Sequence, residues 1–66
     1  MGKLIKTEII ESYMQGNNLS KTQFCKLCKI SIGTLYRLLS NDINVELISF
    51  FRISKVIDIQ IHQMFN

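Results

Sequence analysis

Two signals for the start of a helix stand close together in the chain, and the few residues between the two helices restrict the fold. Residues 20–23, SKTQ, have the form of a capping box, in which a Ser caps the helix and a Gln three positions later returns to the cap. Ser31 is a second suitable N-cap. Because residues 29–31 are long enough only for a tight turn, we predict two short helices that cross steeply and approach closely.

A C-x-x-C pair, Cys25 and Cys28, lies in the first of these helices and provides the only cysteines of the chain. Structural zinc takes four ligands, usually from two pairs, and the only further ligand nitrogen is that of His62. A redox motif requires a preceding strand in a βαβ setting, which the pattern lacks. Free Cys packs as a small hydrophobe. We therefore interpret Cys25 as the small residue at the helix crossing and His62 as a surface residue, and we expect no metal or cofactor.

Apolar residues at intervals of three and four predict further helices before and after these two helices. A strand at residues 56–61, VIDIQI, is the alternative near the end, but no second strand pattern offers it a partner. We predict an all-α fold, a compact bundle of about five short helices in a single domain spanning residues 1–66. The expected helices are Lys3–Gln15, Ser20–Cys28, Ser31–Leu39, Val45–Ile57 with Asn44 as its cap, and a last turn or two at Ile61–Phe65.

The hydrophobic fraction of 47% is sufficient for a core, so disorder is not expected over most of the chain. A chain this short buries only about 60% of its unfolded surface and is marginally stable unless a partner shares its core. The apolar stripe predicted for the second helix is Phe24, Leu27 and Cys28. The buried side predicted for the fourth helix is Leu47, Phe50, Phe51, Ile53, Ser54 and Ile57.

The charge is distributed unevenly along the chain. Residues 12–41 contain no acidic residue, and they contribute Lys21, Lys26, Lys29 and Arg37, whereas the rest of the chain sums to −1 of the total net charge of +3. A local basic face is typical of a protein that binds a polyanion. The same residues would also serve simply to solvate exposed helix faces, so the charge pattern leaves both interpretations open.

Several classes of protein are disfavoured by the sequence. The longest apolar run is far shorter than the ~20 residues of a membrane span, and the first ten residues lack the apolar region of a secretory signal. Lys6 stands where a myristoylation signal has Ser or Thr. We therefore expect no membrane attachment and a cytoplasmic location. No paired acids, nucleophile–base pair or Gly-rich phosphate loop is present, so we do not expect an enzyme.

Leu19 to Leu38 resembles the helix-turn-helix of the Cro/C1-type (Xre-like) phage and bacterial repressors. Residues 55–65, KVIDIQIHQMF, are similar to the closing segment of that family, so the resemblance covers most of the chain. Two departures from the family pattern are Lys29, where the turn usually has Gly, and the pair Ile32 and Gly33 at the first outward positions of the second helix. The residues that fill the pattern are Leu19, Ser20, Phe24, Cys25, Ile30, Leu35 and Leu38.

The resemblance implies a lambda-repressor-like DNA-binding domain, with its helix-turn-helix at about residues 20–40. It further implies a sequence-specific transcriptional regulator whose recognition helix, Ser31–Leu39, enters the major groove of double-stranded DNA. Arg37 would bind guanine, and Lys21 would reach the DNA backbone. Ile32 and Tyr36 have alternative roles in packing. The implied DNA-binding residues are Lys21, Ser31, Ile32, Gly33, Thr34, Tyr36, Arg37, Ser40 and Asn41.

Proteins of this kind commonly pair on two half-sites about one helical turn apart, so we expect a homodimer. Apolar residues in the last third of the chain either form its interface or complete the core. The apolar start of the recognition helix favours an alternative function, a protein-interaction or self-assembly module that keeps the fold without specific DNA binding. The candidate dimer residues are Ile48, Phe51, Ile61, Met64 and Phe65.

Overall fold

The computed structural model of the protein describes residues 4–66, which form four α-helices and one short 3-10 helix. Helix α2 packs against α3 and α4, and α4 packs against the 3-10 helix. The radius of gyration is 10.7 Å, and a compact chain of this length is expected to have about 11 Å. The helices are α1 (Thr7–Gly16), α2 (Lys21–Cys28), α3 (Ile32–Leu39), α4 (Leu47–Ile57) and the 3-10 helix (Ile61–Met64).

The predicted all-α, compact fold is therefore confirmed, while the predicted number of about five helices is corrected to four α-helices. The last helical element is a 3-10 helix of four residues, in which the N–H of Gln63 donates to the carbonyl of Gln60 at 2.9 Å. Such i to i+3 bonds suit short terminal pieces of helix. The strand alternative at residues 56–61 is not adopted, because α4 continues to Ile57.

Helix α1 begins at Thr7, later than the predicted start at Lys3, which lies outside the described residues. The side-chain oxygen of Asn41 explains the later start, since it accepts the backbone N–H of Leu4 at 2.8 Å and that of Ile5 at 2.9 Å. These contacts hold residues 4 and 5 against the end of α3 and keep them outside the helix.

The two ends of the described chain are also joined to each other. Ile5 forms an isolated antiparallel bridge with Phe65. The N–H of Lys6 donates to the carbonyl of Met64 at 2.8 Å, and the N–H of Asn66 donates to the carbonyl of Leu4 at 3.0 Å. We call the bonds of residues 4–6 to Asn41 and to residues 64–66 the terminal clasp.

Helix α4 begins at Leu47, two residues after the predicted start at Val45, and its N-cap is Glu46. The predicted cap, Asn44, instead donates its N–H to a carboxylate oxygen of Asp42 at 2.9 Å. This bond keeps residues 42–44 in the loop. The side chain of Glu46 makes no capping hydrogen bond, so α4 lacks the local start signal that α2 and α3 possess.

Three apolar side chains that the sequence predicted to be buried are exposed. Leu27 is 52% exposed, Leu47 62% and Phe51 48%. On α4, Ser49 is buried instead, because the buried face lies slightly to one side of the most apolar face. On α2, the buried residues are Phe24, Cys25 and Cys28, so Leu27 lies outside the buried face.

The core lies where α2, α3 and α4 meet, and α1 and the chain ends cover it. The ring of Phe24 contacts that of Tyr13 at a centroid distance of 5.9 Å, and the ring of Phe50 contacts that of Phe65 at 5.0 Å. The fully buried apolar residues at 0% exposure are Ile5, Phe24, Leu35, Leu38 and Ile53.

Every α-helix of the described chain is followed by a non-glycine residue in the left-handed conformation. In each case the next residue donates its N–H to the carbonyl five positions earlier, as in the Schellman motif. Asn tolerates this conformation better than most residues because its short side chain interacts with the local backbone. The left-handed residues are Asn18 (φ 53°), Lys29 (φ 58°), Asn41 (φ 64°) and Asp58 (φ 66°).

We predict that Asn41→Gly destabilises the protein even though glycine suits a left-handed backbone. The change removes the oxygen that accepts two N–H groups, one of them partly buried, and we expect the free energy of unfolding to fall by about 1–2 kcal/mol. Urea denaturation followed by circular dichroism measures this. Asn18→Gly is the matched control and should leave stability unchanged or raise it slightly. Equal effects of the two changes would contradict the clasp's role in stability.

Candidate nucleic-acid interface

The segment from α2 to α3 is built from local signals that the sequence predicted correctly. The hydroxyl of Ser20 accepts the N–H of Gln23 at 3.1 Å, and the side-chain oxygen of Gln23 accepts the N–H of Ser20 at 2.8 Å. This is the predicted capping box. Helix α2 ends at Cys28, and residues 29–31 connect it to α3. Ser31 caps α3, as predicted, by accepting the N–H of Thr34 at 3.1 Å.

Cys25 lies at the contact between α2 and α3. It is 5% exposed, and its Sγ is 3.7 Å from the carbonyl oxygen of Ser31, to which the thiol donates. This is a weak hydrogen bond. Its length shows how close the residue that caps α3 lies to α2, and a larger side chain at position 25 would separate the two helices. The prediction that Cys25 is a small packing residue is therefore confirmed.

Both thiols are buried and have raised pKa values. Burial raises the pKa of Cys25. Burial, with a smaller contribution from the neighbouring Cys25, raises the pKa of Cys28 to about 11. The thiolate is the form that attacks electrophiles and binds metals, so these groups stay unreactive at neutral pH. Within residues 4–66, no three His, Cys, Asp or Glu residues lie together where they could hold a metal ion.

The turn between α2 and α3 is fixed by an arginine from α4. Lys29 adopts the left-handed conformation, with φ 58° and ψ 44°. Lys29 is the position at which the Cro/C1-type repressors that the sequence resembles usually have Gly. The carbonyl of Lys29 accepts a hydrogen bond from Nη1 of Arg52 at 2.9 Å. This contact was not predicted from the sequence, and no local signal could have revealed it, because the two residues are far apart in the chain.

Helix α3 has one buried side and one exposed side. Leu35 and Leu38 are both 0% exposed and anchor the inner side. Tyr36 is 54% exposed and Ile32 is 41% exposed, so Tyr36 points mainly outward and does not fill the core. Thr34 is half-buried. The exposed residues of the cap and helix are Ser31, Ile32, Gly33, Tyr36 and Arg37.

The exposed side of α3 carries hydrogen-bond donors at its N-terminal end. The hydroxyls of Ser31 and Thr34 lie 2.9 Å apart. One of them donates to the other, so one hydroxyl proton remains for an outside acceptor. The N–H groups of Ile32 and Gly33 have no acceptor within residues 4–66, as is usual in a first helical turn. The guanidinium of Arg37 likewise has no acceptor among the described residues.

Gly33 is not required by the fold. Its φ is not positive, and a Cβ built on it would have only the hydroxyl oxygen of Ser31 within 4 Å, at 3.9 Å. An alanine would therefore fit without any rearrangement, and it would suit a helix better than glycine does. What glycine provides here is open space directly outside the first turn of α3.

The remaining predicted DNA-binding residues have different surroundings. Lys21 is exposed at the start of α2 and lines a groove with Glu11 and Leu39. Ser40 is exposed directly after α3. Asn41 has a structural role in addition to its predicted role at DNA, because its side-chain oxygen accepts the N–H groups of residues 4 and 5 in the terminal clasp, which leaves its amide NH₂ group as the donor for DNA.

The predicted dimer residues do not form one exposed set. Ile48 is 47% exposed and Phe51 48%, and both lie on the outer side of α4. Ile61 and Phe65 are half-buried. Met64 is 2% exposed and belongs to the core, so its assignment to an interface is wrong. Three further apolar residues were not predicted to be exposed and line one groove, which are Leu4 at 52%, Ile43 at 47% and Leu47 at 62% exposure.

No protein-family model matches the chain, and neither a curated protein nor a solved structure matches it. The similarity to Cro/C1-type repressors is therefore a resemblance in residue pattern. Among the helices of residues 4–66, none has both the length and the apolar character required to cross a membrane.

We predict that the stability of the protein falls as the pH rises from about 9 towards 11. The folded thiol of Cys28 has a pKa of about 11, above the ordinary value of 9.0 that applies after unfolding. Between these values the unfolded chain has released more protons, and ionisation therefore favours unfolding. Urea midpoints measured at a series of pH values test this. Cys28→Ala is the control, since it removes this thiol and leaves every other side chain in place. Identical pH slopes for the two proteins would contradict the prediction.

Proposed function

We propose that the protein is a sequence-specific, double-stranded DNA-binding transcriptional regulator of the Cro/C1 type, with α2 and α3 as its helix-turn-helix. The observation that carries the proposal is the orientation of α3. Leu35 and Leu38 hold one side in the core, while the N-terminal turn and Arg37 remain exposed. This exposed side belongs to the stretch of residues 12–41 that contains no acidic residue. The proposal assigns binding and no catalysis.

The donors at the start of α3 match the chemistry of the DNA backbone. Phosphate oxygens accept hydrogen bonds from N–H groups at helix N-termini, where the helix dipole also favours negative charge. The N–H groups of Ile32 and Gly33, together with the remaining hydroxyl proton of the Ser31–Thr34 pair, supply such donors. Lys21 and Ser40 add exposed polar groups at the start of α2 and at the end of α3.

Two side chains of α3 would read base edges in the major groove. Arg37 can donate to both O6 and N7 of a guanine, a contact worth ~1–3 kcal/mol of discrimination. Ile32 is partly exposed in the first turn and suits contact with a thymine methyl group. Tyr36 would contact a phosphate or a sugar. Lys26 and Lys29, both exposed, would attract the backbone without regard to sequence and in a salt-dependent manner.

A second candidate function is a protein-interaction module without specific DNA binding. The exposed apolar residues Leu47, Ile48 and Phe51 on α4 favour it. The two candidates differ in their response to salt. DNA binding weakens as salt is added because counterions are released from the duplex, whereas association through apolar residues does not.

We predict that Arg37→Gln impairs binding to specific DNA. Selection from a random duplex library first identifies a preferred sequence, and fluorescence anisotropy then measures affinity for it. Arg37→Gln should weaken this binding by about 5- to 150-fold, equivalent to ~1–3 kcal/mol, with a much smaller effect on random duplex. Lys55→Gln removes the same charge from an exposed site on α4 and should have little effect. Equal losses for both variants, or no binding of the wild type at low salt, would refute specific recognition.

We predict that Gly33→Ala weakens DNA binding without lowering the stability of the protein. Because the added methyl group has free space in the protein, the variant should be as stable as the wild type or more so, by up to ~1 kcal/mol. It should nevertheless bind the selected duplex more weakly, since the methyl group occupies the space between α3 and the DNA. Unchanged affinity would show that α3 does not approach DNA through its first turn.

We further propose that the protein binds DNA as a homodimer through α4, with Ile48 and Phe51 at the interface and Leu47 beside them. Phe51→Glu should convert the dimer to a monomer, as measured by sedimentation velocity, because it places a charge within an apolar contact. It should also weaken binding to a duplex with two half-sites more than binding to one half-site. Leu27→Glu, at a similarly exposed leucine of α2, is the control that should remain dimeric. A monomeric wild type would refute the pairing.

A further inference from the structure

A second basic surface lies apart from the exposed side of α3. A groove of about 390 Å³ runs between the end of α2 and the C-terminal half of α4. All of its lining residues are neutral or cationic, and none comes from α3. They are Leu27, Cys28, Lys29, Arg52, Lys55 and Val56.

The groove combines charge with an exposed apolar surface. Leu27 is 52% exposed, and Val56, which is half-buried, lies across the groove from it. The three cations Lys29, Arg52 and Lys55 are all exposed. The combination of three exposed cations with an exposed leucine is complementary to a ligand that has both acidic and apolar groups.

Arg52 is already positioned for such a ligand. Its bond to the carbonyl of Lys29 uses Nη1, and its other N–H groups have no acceptor among residues 4–66. A guanidinium has five N–H donors in a planar arrangement that matches a carboxylate. Since the existing bond restrains the side chain, less conformational entropy is lost when a carboxylate binds.

We propose that this groove is the docking site for an acidic segment of a partner protein that carries a leucine-like side chain. The apolar side chain would pack on Leu27 and Val56, and the carboxylates would pair with Arg52, Lys29 and Lys55. DNA fits this groove less well, because its backbone carries no flexible apolar side chain that could fill the space between Leu27 and Val56. The proposal does not depend on DNA binding. The groove uses no residue of α3 and shares only Lys29 with the surface proposed to attract DNA, so the partner and DNA would compete for that one side chain.

The test uses a short fluorescein-labelled peptide that is rich in Glu and Asp and carries two leucines. Fluorescence anisotropy measures its binding to the full chain. Leu27→Gln and Lys55→Glu should each weaken binding by roughly tenfold, equivalent to ~1.4 kcal/mol. Lys6→Glu makes the same charge change outside the groove and should leave binding nearly unchanged. Replacing the peptide's leucines by serine should weaken binding comparably, as should replacing its acidic residues by their amides.

Four results would overturn the proposal. The first is that the peptide fails to bind the folded wild type. The second is that the serine peptide binds as well as the leucine peptide, which would indicate general attraction between charges. The third is that Lys55→Glu weakens the affinity for duplex DNA as much as Arg37→Gln does, which would place the groove in the nucleic-acid surface. The fourth is that Leu27→Gln dissociates a dimer, which would show that a second copy of the chain covers the groove. Circular dichroism of each variant confirms folding, and anisotropy with duplex DNA on the wild type tests the proposed function separately.

Discussion

The contact between Cys25 and the carbonyl of Ser31 determines how the rest of the molecule is arranged. A small side chain at this point lets the residue that caps α3 lie directly against α2. Once α3 is held there, Leu35 and Leu38 enter the core and the opposite side of the helix must face outward. The C-x-x-C sequence, which could signify a metal or redox site in another setting, here provides two compact buried groups that stay protonated at neutral pH.

Local sequence signals were sufficient to predict the centre of the fold. The capping box at Ser20 and Gln23, the cap at Ser31 and the short turn at residues 29–31 all depend on groups within a few positions of one another. Periodicity alone, in contrast, placed Leu27 and Leu47 inside, although both are more than half exposed. A helical pattern defines an apolar face, but the neighbouring helices determine which part of that face they cover.

The features that the sequence did not predict are contacts between residues distant in the chain. Asn41 was predicted only as a DNA-binding residue, and the bonds of its side-chain oxygen to the backbone of residues 4 and 5 were not predicted. Arg52 could be read only as an exposed cation until its bond to Lys29 was visible. For the candidate site, the sequence identified the residues of α3 and the absence of acidic residues from residues 12–41. The N–H donors of α3 that lack acceptors among residues 4–66, and the open space outside Gly33, could be identified only from the three-dimensional structure.

The terminal clasp has a consequence for the order in which the protein folds. Its bonds join residues 4–6 to residues 64–66, so they close a loop of nearly the whole described chain, and the entropic cost of closing a loop grows with its length. Contacts of such large sequence separation slow folding, and we expect them to form after the local contacts. We therefore expect α2 and α3, which are joined by a short turn, to pair before the clasp forms.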